Sequence, residues 1–189
     1  MSLNAFKRVH PGSWLALGAL AGGLALPSTL RLNLTRSLPL GFYRVIGGPV
    51  RRHDLVIACP PLSAARLARA RGYLAPGSCP GGVEPLGKRV LATAGDLVTV
   101  TAAGVFVNRA WQPCSRSSPA DTAARPLPHF TSTRRLEPGE LWLYAAHPRS
   151  FDSRYFGPVA GAAVRDRIAP LWTWSAAWQG PRCSDRGSP

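Results

Sequence analysis

Three short segments of this chain carry residue types that suit acyl transfer. Ser37 stands in Asn33-Leu34-Thr35-Arg36-Ser37-Leu38-Pro39-Leu40-Gly41-Phe42-Tyr43, a few residues beyond an apolar stretch. Taken alone, a serine beside proline and glycine is a turn former. Gly87-Lys88-Arg89-Val90 then sets one of the chain's two lysines at the head of an apolar run. Ser150-Phe151-Asp152-Ser153-Arg154-Tyr155-Phe156-Gly157 gathers hydroxyls, a carboxylate and a guanidinium into eight residues. A hydroxyl nucleophile and an amine base are the equipment of a peptidase working through an acyl-enzyme. The demand falls on the lysine. An amine with a reference pKa of about 10.4 serves as a base near neutrality only if burial disfavours its charge, and Leu86, Val90 and Leu91 are apolar neighbours of Lys88 in sequence.

The elements that must position these residues are mostly strands. The 189 residues suffice for one domain with a core, and 19 glycines and 19 prolines favour short strands and turns over long amphipathic helices, so a mainly β fold is expected. Strands are read at Phe42 to Ile46, Asp54 to Ala58, Lys88 to Ala92, Glu140 to Ala145 and Val159 to Val164. A hairpin is read at Asp96 to Thr101 and Val105 to Asn108, around Ala102-Ala103-Gly104. A short helix with a serine cap is expected from Ser63 to Arg71, ended by Gly72. Gly77 to Gly82 and the long stretch Pro113 to Thr133 read as loops, the latter as either a substrate-side excursion or a mobile flap.

Ser13 to Pro27 is apolar and follows Lys7, Arg8 and His10, the layout of an export signal or membrane anchor. Retention as an anchor is the favoured reading, because it leaves Ser37 beside a bilayer. The expected organisation is an anchor over 1–30, a catalytic domain over 31–170 and a tail over 171–189. Trp172, Trp174 and Trp178 in that tail suit either a membrane interface or ordinary packing. The net charge of +14 is almost wholly arginine. Arg31, Arg36, Arg44, Arg51 and Arg52 follow the apolar segment closely, which favours anionic lipid as the partner. No basic helix, zinc-finger spacing or RNA-binding aromatic motif accompanies them, so specific nucleic-acid binding is not expected. Cys59, Cys79, Cys114 and Cys183 form an even set compatible with export. A Cys59–Cys79 bridge is the expected pairing, Cys114 with Cys183 being what remains. No cysteine or histidine spacing suggests zinc, and no cofactor is expected.

Asn33, Thr35, Ser37, Pro39, Gly41 and Tyr43, then Gly87-Lys88-Arg89-Val90 with Gly95-Asp96, then Ser150-Phe151-Asp152-Ser153-Arg154 resemble the signal peptidase I clan. Within that clan they resemble the TraF-type conjugative-transfer peptidases, over a match from the anchor to about Gly157. The resemblance implies an antiparallel β fold with an N-terminal hydrophobic helix, an inner-membrane location with the catalytic domain in the periplasm, and a serine-lysine dyad. Carried over, Ser37 is the nucleophile and Lys88 the general base. The Ser37 N–H and Thr35 hydroxyl form the oxyanion site, Ser150 orients the lysine, and Asp152 with Arg154 is a supporting ion pair in which Asp152 also ranks as a catalytic residue. Thr35 as a mere turn former stays open.

The chain departs from the housekeeping signal peptidases in three ways. It has one residue, Leu38, between Ser37 and Pro39 where they have two. It reads Ala145-Ala146-His147-Pro148 where they carry a Gly-Asp-Asn-Arg stretch, and it is short. These features favour the transfer branch, whose members cleave a pilin precursor or other exported protein and in some cases join its ends. Three alternatives are open at this point: a housekeeping leader peptidase, a Ser-His-Asp site built on His147, and a non-catalytic membrane-tethered assembly factor.

Overall fold

In a computed structural model, residues 28–174 are described. Residues 1–27 of the anchor segment, with its expected N-terminal helix, lie outside them, as do Trp178 and Cys183, whereas Leu30, assigned to the anchor, is already the first residue of a strand. Twelve strands dominate: β1 Leu30–Asn33, β2 Gly41–Ile46, β3 Leu55–Ala58, β4 Pro76–Cys79, β5 Leu86–Ala92, β6 Leu97–Thr101, β7 Gly104–Val107, β8 Ala110–Trp111, β9 Ser132–Arg135, β10 Glu140–Tyr144, β11 Val159–Ala160 and β12 Val164–Thr173. Two helices accompany them, α1 Leu62–Arg71 and the single turn α2 Ser153–Phe156. The fold is mainly β, as composition implies.

Seven strands form one antiparallel sheet in the order β1-β2-β12-β3-β5-β10-β11, and four form a second in the order β8-β7-β6-β9. The hairpin β6-β7 pairs Val98 with Val107 and Val100 with Val105, and these four valines are buried. They pack against Leu91, Ala92, Trp142 and Tyr144 of β5 and β10, so one core joins the two sheets. A second cluster, with Val56, Val90 and Leu143, lies along the centre of the large sheet. A third puts Leu38, Tyr43 and Ile168 together, with Val45, Leu55 and Ile57 against them, directly under the turn that carries Ser37.

Several sequence readings need correction. Helix α1 starts at Leu62 with Pro61 at its N-cap, and no side chain caps it, so Ser63 sits in the first turn instead. Proline at a helix start fits its fixed φ and missing donor. Gly77 to Gly82 is not all loop: β4 occupies its first part, and Pro76 and Cys79 both bridge to Val83. Val159 to Val164 is not one strand. A 3-10 turn over Gly161–Ala163 interrupts it, and the long closing strand is β12, which pairs with both β2 and β3. β12 runs on to Thr173, so the first residues assigned to a tail extend the sheet. The Cys59–Cys79 disulfide is present and ties β3 to β4 around α1.

Candidate active site

Lys88 is carried inward by strand alternation. Leu86, Lys88 and Val90 lie on the buried side of β5 while Arg89 faces solvent. β5 is hydrogen-bonded on both flanks, Val56 opposite Lys88 on β3 and Leu143 opposite Val90 on β10, so the lysine stem is fixed in the middle of the sheet. Its side chain is 2% exposed. Burial pulls its pKa down to about 8, opposed by the charge of Asp152 and assisted by that of Arg154.

Ser37 comes from the other direction, on the turn between β1 and β2. Asn33, the last residue of β1, closes that turn. Its Nδ2 donates to the carbonyls of Thr35 (2.9 Å), Leu38 (3.1 Å) and Pro39 (3.0 Å). Its Oδ1 accepts from the Thr35 N–H (3.2 Å) and the Thr35 hydroxyl (2.8 Å). The Tyr43 hydroxyl, with its ring fully buried, donates to the Pro39 carbonyl at 2.6 Å. Leu38 is buried against Gly87, where even a Cβ would come within 3.2 Å of it. This packing sets Ser37 next to β5, and Lys88 Nζ lies 2.8 Å from Ser37 Oγ.

The third segment supplies Ser150, whose buried Oγ accepts from Lys88 Nζ at 2.8 Å. Asp152 and Arg154 are fully buried and joined by two hydrogen bonds, Nε to Oδ1 at 2.8 Å and Nη2 to Oδ2 at 2.9 Å. Asp152 also caps α2 and accepts from the Ala145 N–H at 3.2 Å. Arg154 donates to the carbonyls of Ala145, His147 and Ser150 on one side and of Cys114 and Arg116 on the other. One guanidinium thus ties the Ser150 turn to the long 112–131 excursion. Burial opposes its charge, yet the Asp152 carboxylate outweighs this and holds its pKa above the ordinary arginine value.

The six residues singled out in the sequence therefore fall into two groups, with Thr35 apart from both. Ser37, Lys88 and Ser150 form a hydrogen-bonded line. Asp152 and Arg154 bind each other and the surrounding backbone, and reach Lys88 through their charges. Thr35 sits beside Ser37 with its hydroxyl turned to Asn33. No hydrogen bond of the Ser37 N–H is found among the described residues. His147 is 7% exposed on the same cavity, its Nδ1 accepting from the Arg149 N–H at 3.2 Å. Burial first, then Arg149, Arg36, Lys88 and Arg154, lower its pKa and favour the neutral ring. With Asp152 committed to Arg154 and Ser37 bonded to Lys88, a Ser-His-Asp triad is not assembled.

Two residues were not singled out by sequence reasoning as site residues. Asn33 was visible as one position of the first motif, and its three-carbonyl staple needs coordinates to be seen. Glu84, four residues before Lys88, lies outside every motif. A cavity of about 650 Å³ is lined by Ser37 and Lys88 together with Ser118, Asp121 and Leu127 of the excursion and Leu86 and Tyr155. Asp121 ties the excursion to Tyr73, accepting from its hydroxyl and from Arg125 Nε (2.7 Å).

The family profile described as "Signal peptidase, peptidase S26" matches residues 14–173. A plasmid transfer protein TraF of Escherichia coli is 40% identical over 171 residues, spanning 89% of this chain and 96% of that protein. A probable conjugal transfer protein TraF of Sinorhizobium fredii is 44% identical over 151 residues, 77% and 78% of the two chains. A conjugal transfer protein TraF of Agrobacterium tumefaciens is 39% identical over 165 residues, 86% and 89%. Among solved structures, a signal peptidase I from Enterococcus faecalis aligns at 17% identity with a TM-score of 0.37, covering 65% of this chain and 98% of that one.

Proposed function

The chain belongs to the S26 signal peptidase family, among relatives of the TraF conjugal transfer proteins, and from that premise we propose that it is a serine endopeptidase with Ser37 as nucleophile and Lys88 as general base. The observation that carries the reading is the 2.8 Å contact between Ser37 Oγ and a lysine nitrogen buried in the sheet. An amine whose pKa lies at about 8 is partly neutral near physiological pH, so its lone pair can take the serine proton.

The proposed reaction follows from the placement of these groups. Substrate lies extended in the cavity over Ser37. Neutral Lys88 takes the hydroxyl proton as Oγ attacks the scissile carbonyl, and Ser150 keeps Nζ aimed during the transfer. The developing oxyanion is met by the Ser37 N–H and by the Thr35 hydroxyl, which turns about its Cβ–Oγ bond away from Asn33. Collapse expels the amine, which leaves with the proton from Lys88, and an ester of Ser37 remains. Water then gives hydrolysis, while an amine gives a new peptide bond.

The proposed substrate is a pilin precursor or another exported protein of the transfer apparatus. The proposed setting is the outer face of the bacterial inner membrane, with the N-terminal segment in lipid. Co-expression of such a precursor with the wild type, Ser37→Ala or Lys88→Ala, read by intact mass, tests the whole reading. Cleavage by the wild type alone is expected, and a product one water lighter than the linear mature chain marks cyclisation. Normal processing by Ser37→Ala overturns the assignment. A wild type inert on the precursor favours a non-catalytic assembly role.

A further inference from the structure

Acidic side chains are scarce in this chain, nine against 23 lysines and arginines, and Asp185 lies outside the described residues. Of the eight that remain, seven lie within 4.0 Å of an arginine nitrogen. Glu84 is the exception among the described residues. Its side chain makes one hydrogen bond, Oε1 accepting from the Ala75 N–H at 3.2 Å. With so many guanidinium groups available, a partly exposed carboxylate left without one is unusual, and its position gives it a use.

Two cavities meet at Glu84. The first, of about 650 Å³, holds Ser37 and Lys88, and the second, of about 520 Å³, runs under β1 past Arg31 and Arg165. They share Thr35, Glu84, Pro85 and Gly87, so a peptide extended across Ser37 from one to the other passes Glu84. The backbone that carries this carboxylate is also held firmly. The Glu84 N–H donates to the Ala75 carbonyl at 2.8 Å, and Gly77 lies so close that a Cβ there would collide with the Glu84 backbone. Cations surround the site without occupying it. Arg31 is turned to Asp166, Arg165 to Ser78 and Cys59, and Arg36 and Arg149 sit on the rim of the first cavity.

We propose that Glu84 binds a cationic group of the peptide substrate, an ammonium or guanidinium, at the junction of the two cavities beside Ser37. The proposal rests on the reading of this cleft as a peptide site. It adds a selectivity: elsewhere the arginine-rich surface repels a basic peptide, and at this junction it attracts one. The cation comes from one of two sources, a basic side chain near the scissile bond or the α-ammonium of an incoming amine acceptor.

The test uses the full chain bearing Ser37→Ala, so that binding is read without turnover. Fluorescein-labelled ten-residue peptides rich in alanine and glycine carry Lys, Gln or Glu at each position in turn, with the N-terminus free or acetylated, and binding is read by anisotropy. A lysine at one position, or the free N-terminus, is expected to tighten binding about five-fold, an effect that shrinks with added salt. The arm that responds identifies the source. Adding Glu84→Gln, which keeps the acceptor for Ala75, is expected to erase the preference, and Glu84→Lys to transfer it to the Glu peptide. Equal binding of all peptides, or a preference that survives Glu84→Gln, overturns the proposal. Cleavage by the chain with Ser37 intact is followed in parallel. Loss of cleavage with the binding contrast preserved overturns the peptidase reading alone, and cleavage without the contrast overturns the cation site alone.

Discussion

Lys88 Nζ lies 2.8 Å from Ser150 Oγ and the same distance from Ser37 Oγ, so the buried amine is held between two hydroxyls. A flexible four-carbon stem needs such a second anchor if its nitrogen is to stay aimed at one proton. Ser150→Ala is expected to lower kcat about ten- to hundred-fold with KM little changed. Ser150→Thr restores part of the loss if orientation is the role. Steady-state kinetics on a peptide substrate separate these outcomes from a loss of folded protein.

The Asp152–Arg154 pair acts on the site in two ways. It fastens the Ser150 turn to the 112–131 excursion, and its two charges act on Lys88 in opposite senses. Asp152→Asn leaves Arg154 buried without a counter-charge, a change that costs about 3–5 kcal/mol in comparable buried pairs. The same substitution removes the charge that raises the Lys88 pKa, so whatever activity survives is expected to show the ascending limb of its pH–rate profile shifted to lower pH. A residue acting directly on substrate would not produce that shift. Thermal unfolding and a pH–rate profile measured on one preparation check both halves.

Asn33 binds the carbonyls at 35, 38 and 39 and so sets the curvature of the turn that presents Ser37. Asn33→Asp keeps the acceptor for Thr35 but loses the donor to three carbonyls, and it adds a charge that holds the Thr35 hydroxyl away from the oxyanion. A fall in kcat of about a hundred-fold is expected, in the range for loss of one oxyanion donor. Thr35→Val in the Asn33→Asp background is expected to add little, because both changes remove the same donor.

Much of this site is legible in the sequence because its parts are short and local. Lys88 between Leu86 and Val90 reads as an inward position on a strand, and the hairpin around Ala102-Ala103-Gly104 reads from its valines. What escapes does so for physical reasons. Strand β12 opens with Val164-Arg165-Asp166-Arg167 and contains Pro170, which looks nothing like an apolar strand. Its arginines reach Ser78, Asp54 and the chain near Pro49 across the sheet, and Pro170 falls where the register shifts. Asn33 escapes because its partners are carbonyls, which carry no sequence signal. Glu84 escapes because what sets it apart, having no arginine partner among the described residues, is a property of the folded chain.

The Cys59–Cys79 bridge closes a 20-residue separation around α1, and Tyr73 inside that loop lines the cavity. Replacing both cysteines by alanine is expected to cost about 3 kcal/mol, by the loop-closure relation. That corresponds to a fall in Tm of roughly 6–12 °C for a chain of this size. Activity at low temperature is expected to persist, since none of the hydrogen bonds that hold Ser37, Lys88 and Ser150 involves either cysteine.

The pH dependence of Ser37 acylation reports whether Lys88 is the base. Burial lowers Lys88 from 10.5 to about 8, so the neutral, base-competent amine grows in as pH rises through that value. Below it the ammonium is buried at a cost of about 3 kcal/mol. Stability therefore increases between pH 8 and 10.5, where the unfolded chain holds the proton that the folded chain has released. Wild type and Lys88→Met, treated with a serine-acylating agent and mapped by mass spectrometry, give the readout. One adduct is expected, on Ser37, forming at a rate that climbs through pH of about 8 and vanishes in Lys88→Met, which itself folds at least as stably as wild type at pH 7. An adduct on another residue, a rate indifferent to pH, or wild-type labelling of Lys88→Met would contradict it.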